Sequence, residues 1–415
     1  MRRAQLRRRA QSDEPRRNYN RGQAFHIQFR AVSYLTEWGT FMEHVRDSTR
    51  NLQLLSQLLL GSKAPTQAES HANAVGTCSD NTGDLISNLT PHDLEALAAL
   101  AMTNHVIMRS FGPLQRLLEA AGNVEAAEWT ATTMRQETER IDHALNFLQQ
   151  ICTALENGGC AITVIKSLDH WPDLGSDLDL YTDADAAKVV EIMSTHFNAK
   201  LADRSWGDRL ANKWNFIVPG LPELVEVHAG RLGQTGEQTA ITRSLAAHTC
   251  RAHVQGHVFR VPAPEDRIVI STLQRMYRHF YIRLCDIVDN ARLLDLRLVD
   301  FSYLHSLGSA AGLWEGIATY LTIISEYVQA YRGSCVPLVP LVTESAKFGT
   351  NQVRFRRDFL RVSIMPHSLN LYAAELMTLL RKGELRNSFR LSLLPGLATA
   401  AALEQKITGS DKGIW

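Results

Sequence analysis

Apolar side chains recur along this chain at two periods, and the switch between them marks its organisation. Residues 25 to 60 follow a helical period, with Leu52, Leu55 and Leu59 stepping by three and four along one face. Residues 61 to 88, rich in Ser, Gly, Asn, Thr and Ala, are expected to form a linker. Thr90-Pro91-His92-Asp93 then combines an N-cap, a proline at the first helical position and an acid at the third. This predicts a helix to about Phe111, interrupted by Gly112-Pro113. In the longer helix that follows, Ile141, Leu145, Leu148, Cys152 and Leu155 paint one face, and Gly158-Gly159 ends it.

Beyond those glycines the pattern becomes that of strands. Ala161-Ile162-Thr163-Val164-Ile165 is a short β-branched run of the kind found in a buried strand. Residues 177 to 182, 214 to 218, 223 to 228 and 257 to 261 are further strand candidates, with Pro219-Gly220-Leu221-Pro222 as a turn between two of them. From Pro264 the helical period returns in Leu273, Tyr277, Phe280, Leu284, Ile287, Ala291 and Leu294. The remainder reads as helical, with breaks at Gly333, Pro337, Pro340 and Pro395. The expected fold is α+β: a small mixed sheet flanked by helical regions. The expected divisions are a basic arm over 1–24, a helical region over 25–157, an α/β core over 158–262 and a helical region over 263–415.

Composition narrows the function classes. At 415 residues and 45% apolar content the chain has material for a substantial core. Its 44 basic and 43 acidic residues nearly cancel, so no global field would draw it to nucleic acid or to an anionic membrane. The arginines of residues 2 to 21 are a local exception, read as a solvated, disordered arm. Six scattered cysteines form no CxxC pair, which argues against a zinc knuckle or a disulfide framework. No run approaches the roughly 18 to 20 apolar residues of a membrane helix, and no signal-type apolar segment opens the chain. A cytoplasmic protein is expected.

The chemistry concentrates in Val164-Ile165-Lys166-Ser167, nine intervening residues, then Asp177-Leu178-Asp179-Leu180. On a strand, residues two apart share a face about 7 Å apart, so Asp177 and Asp179 project together while Leu178 and Leu180 enter the core. Ionised carboxylates within about 5 Å repel by about 3 kcal/mol at an effective dielectric near 20, a cost that a divalent cation removes. A third acid lies in Leu224-Val225-Glu226-Val227-His228, where Glu226 and His228 share a face opposite Val225 and Val227. Mg²⁺ prefers such carboxylates together with water and phosphate oxygens. Lys166 offers a charge for phosphate or a strand-end snorkel, and Arg204, Arg209 and Lys213 partly match one helix face that could meet a triphosphate. His228 and His279 could each position substrate or be hydrogen-bonded structural histidines, the second being the commoner role.

These residues, in this order, resemble the bacterial nucleotidyltransferase family of the polymerase-beta-like superfamily. The resemblance runs from Lys166-Ser167 through Ser176-Asp177-Leu178-Asp179-Leu180 and Val225-Glu226-Val227-His228. It continues to Pro264-Glu265-Asp266 and Asp289-Asn290-Ala291-Arg292-Leu293-Leu294, covering roughly 90–300. It implies that Asp177 and Asp179 are the metal-binding pair and Glu226 the third catalytic carboxylate. Ser167 and Ser176 would then lie on the turns that receive the phosphates. On charge and spacing, Lys166, Arg209 and Lys213 are expected to add to that nucleotide site, with Gly175 as the nearby glycine.

The implied activity is Mg²⁺-dependent transfer of a nucleoside monophosphate from a nucleoside triphosphate such as ATP to a small-molecule or protein acceptor, releasing pyrophosphate. Glu226 is the expected acceptor of the attacking group's proton. The chain departs from the family at one turn, where Lys166-Ser167 stands without the usual glycine. That departure motivates an alternative, a catalytically impaired nucleotide-binding protein of the same fold. The arginine arm motivates another, a nucleic-acid-directed transferase.

Overall fold

Alternation along two strands decides which face of the central sheet is wet. In the computed structural model, which describes residues 48–61, 86, 89–397 and 399–400, Leu178, Leu180, Val225 and Val227 are all completely buried on one face. The alternate positions carry Asp177, Asp179, Glu226 and His228.

The helix expected over 25–60 is described from residue 48 onward, as α1 (48–60), and buries Leu52, Leu55 and Leu58. The rest of that helix, the basic arm and most of the expected linker lie outside the described residues. Helix α2 (Pro91–Thr103) starts on the predicted device: Thr90 and Asp93 form a reciprocal capping box. It ends eight residues before the expected point. Asn104 donates its side-chain amide to the Leu100 and Asp358 carbonyls, while its side-chain oxygen accepts the Leu284 N–H at 3.1 Å. His105 then turns through φ +53°. Helix α3 (Ile107–Ala120) starts there and carries Pro113 inside it, so Gly112-Pro113 does not break the helix.

Helix α4 (Val124–Asn157) buries the predicted stripe Ile141, Leu145, Leu148, Cys152 and Leu155, and ends at Gly158-Gly159, with Gly159 at φ +78°. The β-branched run that follows contributes only a two-residue strand, β1 (Thr163–Val164). Then come β2 (Asp177–Thr182), α5 (Ala186–Phe197), β3 (Lys200–Leu201), α6 (Trp206–Leu210), β4 (Lys213–Ile217) and β5 (Leu224–Ala229). Their sheet has the order β1-β2-β5-β4-β3. It is mixed: β2 and β5 run parallel, with Asp179 beside Glu226 and Tyr181 beside His228, while β1–β2, β4–β5 and β3–β4 are antiparallel. Its apolar face packs with the second half of α4 and with Val189, Ile192 and Met193 of α5 into one hydrophobic cluster.

The chain continues through α7 (Thr239–Ala247) and a hairpin of β6 (Thr249–Val254) with β7 (His257–Pro262) to α8 (Pro264–Thr272). The single helical stripe expected over 273–294 is interrupted. A π-helical turn over Leu273–His279 ends at Phe280, which takes φ +53°, and β8 (Tyr281–Ile282) precedes α9 (Leu284–Asp295). After α10 (Phe301–Ala311), α11 (Trp314–Arg332) and α12 (Pro340–Ser345), the expected all-helical remainder is corrected again. Strands β9 (Val353–Arg356) and β10 (Phe359–Val362) form a hairpin that pairs with β8, before α13 (Leu369–Arg381) and α14 (Leu385–Ser392). The helices from both ends share a second, larger cluster, which also takes in Ile165, Tyr181 and Leu232 from the polar side of the sheet. The polar face of the sheet is thus enclosed between sheet and helices. Among the described residues no helix is long and apolar enough to cross a membrane.

Candidate active site

Parallel pairing of β2 with β5 sets Asp179 and Glu226 side by side, and His228 follows Glu226 on the same face. Ligating atoms of Asp179, Glu226 and His228 all lie within 4.8 Å of one another. His228 Nε2 is 2.9 Å from Glu226 Oε1 and 3.9 Å from Asp179 Oδ1. Asp177, half-buried, opens β2 one pleat along from Asp179 and adds to the negative field there. The expected trio of acids is therefore assembled on one face, with His228 as an additional member.

Two lysines already meet these acids. Lys166 pairs with Asp179 and lies 3.7 Å from Glu226. Lys213 reaches Glu226 at 2.9 Å and Asp208 at 2.8 Å. Asp208 is itself fixed by a reciprocal cap with Ser205 at the start of α6. Carboxylate repulsion is thus partly relieved from within the chain, which the spacing of the acids did not reveal. The expected basic helix face is not formed. Arg204 lies before α6 with its guanidinium 3.8 Å from the Trp214 ring centre, and Arg209 is exposed on α6 near Trp206. Lys213 begins β4, because Asn212 turns the chain through φ +52° after α6.

The electrostatics follow from this crowding. Burial pushes the Asp179 carboxyl up to about 8, with Glu226 and Asp177 adding to the rise and Lys166 opposing it. Burial also works against the Glu226 charge, but Lys213 and Lys166 outweigh it and hold that carboxyl well below the usual range. Glu226 is therefore a held charge, and a weaker base than its separate strand suggested. Burial holds His228 neutral, its value lowered to about 4. His228 Nδ1 and Asn215 Oδ1 are buried beside these groups with no hydrogen-bond partner among the described residues.

The turn after β1 is built by Lys166 and Ser167. Lys166 itself adopts φ +63°, a left-handed conformation that favours glycine, although the glycine missing from this turn belongs at the Ser167 position. The buried Ser167 hydroxyl accepts the Asp179 N–H at 2.7 Å and donates to the Asp177 carbonyl at 3.3 Å. Its hydroxyl is engaged by backbone. Gly175 and Ser176 instead line a cavity of about 280 Å³ beside the start of β2 and β5, together with Arg140, His105 and Glu223. A smaller hollow of about 40 Å³ is lined by Lys166, His228, Gln274 and Arg278. His279 lies tilted against Tyr281, ring centres 5.4 Å apart, and burial followed by the charge of Arg278 keeps it neutral.

The segment from Lys166 to Ser176 is bolted down by buried charges. Arg109 of α3 reaches Asp173 at 2.8 Å and Asp289 of α9 at 2.5 Å, His170 Nδ1 lies 2.5 Å from Asp289, and Arg267 of α8 holds Asp169 at 2.7 Å. His170, Cys285 and Asp289 also lie close enough to suggest a metal group. The Arg109 guanidinium already satisfies that carboxylate, so we read an ion-pair node there. Compared with known proteins, the chain matches no family model and no curated protein.

Proposed function

We propose that this chain is a Mg²⁺-dependent nucleotidyltransferase, moving a nucleoside monophosphate from a nucleoside triphosphate to a small-molecule or protein acceptor with release of pyrophosphate. The observation that carries this reading is the register of two parallel strands, which puts Asp179 against Glu226 with Asp177 one pleat away. The donor set suits a hard cation: carboxylate oxygens beside an orphaned buried Asn215 oxygen, in a cluster where Asp179 still attracts a proton despite Lys166. Asp177, Asp179 and Glu226 would hold the ion, whose contribution when bound is to neutralise phosphate charge.

The chain's own residues supply positioning and charge. Lys166, projected from a left-handed turn, transfers its ammonium from the carboxylates to phosphate oxygens when a triphosphate enters. Lys213 keeps Glu226 ionised, and Asp208 keeps Lys213 in place. Ser167 fixes the start of β2 through its backbone bonds, so it orients both aspartates without touching the nucleotide. Ser176 and Gly175 border the larger cavity, which is open to either the nucleotide or the acceptor.

One observation favours a second reading, a nucleotide-binding protein without transfer activity. Lys166 and Lys213 already occupy the acids, and the Ser167 hydroxyl is spent on backbone. Incubation of the full chain with each labelled nucleoside triphosphate, Mg²⁺ and cell extract separates the two. Transfer of label with pyrophosphate release is expected. Asp179→Asn and Glu226→Gln should each reduce it by about 100-fold or more, on the scale of losing one preorganised electrostatic group, with an unchanged circular dichroism spectrum. Full transfer by Asp179→Asn rejects the assignment, and Mg²⁺-dependent nucleotide binding without pyrophosphate release supports the second reading.

A further inference from the structure

Past the end of β5 the chain forms a tight loop. The Gly230 N–H still bonds the Thr182 carbonyl at 2.6 Å, and Gly230, Gly233 and Gly236 take φ of +68°, +102° and +76°. The completely buried Glu237 gathers this loop inward, accepting the backbone N–H groups of Gln234 at 3.1 Å and Thr235 at 2.8 Å and the Thr235 hydroxyl at 3.0 Å. The loop side of a cavity of about 230 Å³ is formed this way, with Arg231 on its wall. Helix α14 forms the opposite wall, presenting Arg386 and Arg390 one turn apart with Asn387 between them.

Three guanidinium groups around one small cavity carry a cost. Like charges at i and i+4 on a helix destabilise it, and here a third faces the pair. Burial and then the neighbouring arginines weaken the proton affinity of Arg231 and Arg390. Among the described residues none of the three makes an ion pair; Arg231 donates only to the Leu210 carbonyl, at 3.1 Å. The nearby acids are committed elsewhere: Glu237 to its own loop, and Glu384 to Thr239 and to Asn387 at 2.7 Å. The first residues of α7 add to the positive field, since Thr239 and Thr242 line the cavity and no side chain caps that helix at Gln238.

We propose that this cavity binds the phosphoryl or pyrophosphoryl group of a small ligand. Arginine forks match phosphate oxygens two at a time, which would exchange mutual repulsion for charge-assisted hydrogen bonds. About 230 Å³ is below the roughly 300–1,000 Å³ of clefts that enclose whole drug-sized ligands, so the site takes an anionic head and leaves the rest of the ligand outside. It is distinct from the carboxylate site: Gly230, just past the end of β5, is four residues from Glu226, about 13 Å of extended chain. The proposal does not depend on the function proposed above.

The test is calorimetric titration of the full chain, with EDTA present, against inorganic phosphate, inorganic pyrophosphate, glycerol 3-phosphate and citrate. One-to-one binding of at least one phosphate compound is expected, at least about tenfold tighter than citrate, and weakened about tenfold or more in Arg386→Gln/Arg390→Gln. Tightest binding of pyrophosphate or phosphate identifies a free anion as the ligand, and tightest binding of glycerol 3-phosphate identifies an ester. Protection of Arg386 and Arg390 from phenylglyoxal, read by peptide mass spectrometry, gives the same answer without a variant. No binding by any phosphate compound, equal binding of citrate, or undiminished binding by the double variant overturns the proposal.

Discussion

Lys166 stands in a backbone conformation that costs a side-chain-bearing residue about 1–3 kcal/mol, and it is kept there by what its ammonium reaches. With Asp179 in contact and Glu226 at 3.7 Å, it occupies the place a cation would take among the acids. On the proposed reading, Lys166 and a divalent ion compete until a triphosphate draws the lysine away. Lys166→Gln should therefore bind Mg²⁺ alone about tenfold more tightly and a Mg²⁺–nucleotide complex more weakly, both read by calorimetry; a fall in affinity for Mg²⁺ alone would falsify this account of the lysine. His105 permits a separate pH prediction. Burial, and then the Arg283 guanidinium donating to its Nε2 at 2.5 Å, hold it well below its usual 6.5. The folded state then binds that proton less readily than the unfolded chain, so its contribution is complete above 6.5 and is lost progressively as pH falls below 6.5 toward the lower folded value. His170, raised well above 6.5 with Cys285 and Asp289 overcoming burial, acts in the opposite direction, so the informative quantity is a difference between proteins. The melting temperature of His105→Gln should fall less steeply than that of the parent between about pH 7.5 and 5.5; equal slopes would remove His105 from the account.

At the scale of elements, what was legible in the sequence was what local rules encode. The capping box at Thr90 and Asp93, the apolar stripe of α4 and the strand alternation around Asp179 and Glu226 all lie within a few neighbouring residues. The trio of acids was legible for the same reason, since period-2 alternation fixes a shared face before any pairing is known. Elements set by distant partners were not. Helix α2 stops where it does because Asn104 serves Leu284 and Asp358, roughly 180 and 254 positions away. The stripe from Leu273 to Leu294 stays apolar straight through Phe280, yet β8 forms because β10 offers Ile282 and Tyr281 a partner. Lys213 had the spacing of a helical neighbour to Arg209, and only the turn at Asn212 sends it along β4 to Glu226. The hairpin β9–β10 did leave a signal. Val353-Arg354-Phe355-Arg356 and Phe359-Leu360-Arg361-Val362 alternate around Arg357-Asp358, both at positive φ.

For the whole molecule, the question is how a near-neutral chain sustains two regions of concentrated, opposite charge beside two hydrophobic clusters. The clusters meet at Met108, which packs against both, while the segment from Lys166 to Ser176 gives Leu168 and Leu174 to the cluster under the sheet. Arg109, next to Met108, is the shared cation there: it serves Asp173 in that segment and Asp289 in α9, while the Met108 N–H donates to Asp173 at 2.6 Å. Replacing a buried pair outright can be neutral, but removing one partner strands the other as an uncompensated charge, at about 3–5 kcal/mol. Arg109→Met strands Asp173 and leaves Asp289 to His170. Urea unfolding of this variant should shift to lower midpoint by the equivalent of about 3–5 kcal/mol. Far-UV circular dichroism and tryptophan fluorescence should still coincide, because Met108 continues to join the two clusters. A shift worth under about 1 kcal/mol would mean that apolar packing alone seats the segment carrying Lys166, and separated transitions would mean that Arg109 was what made sheet and helices unfold together.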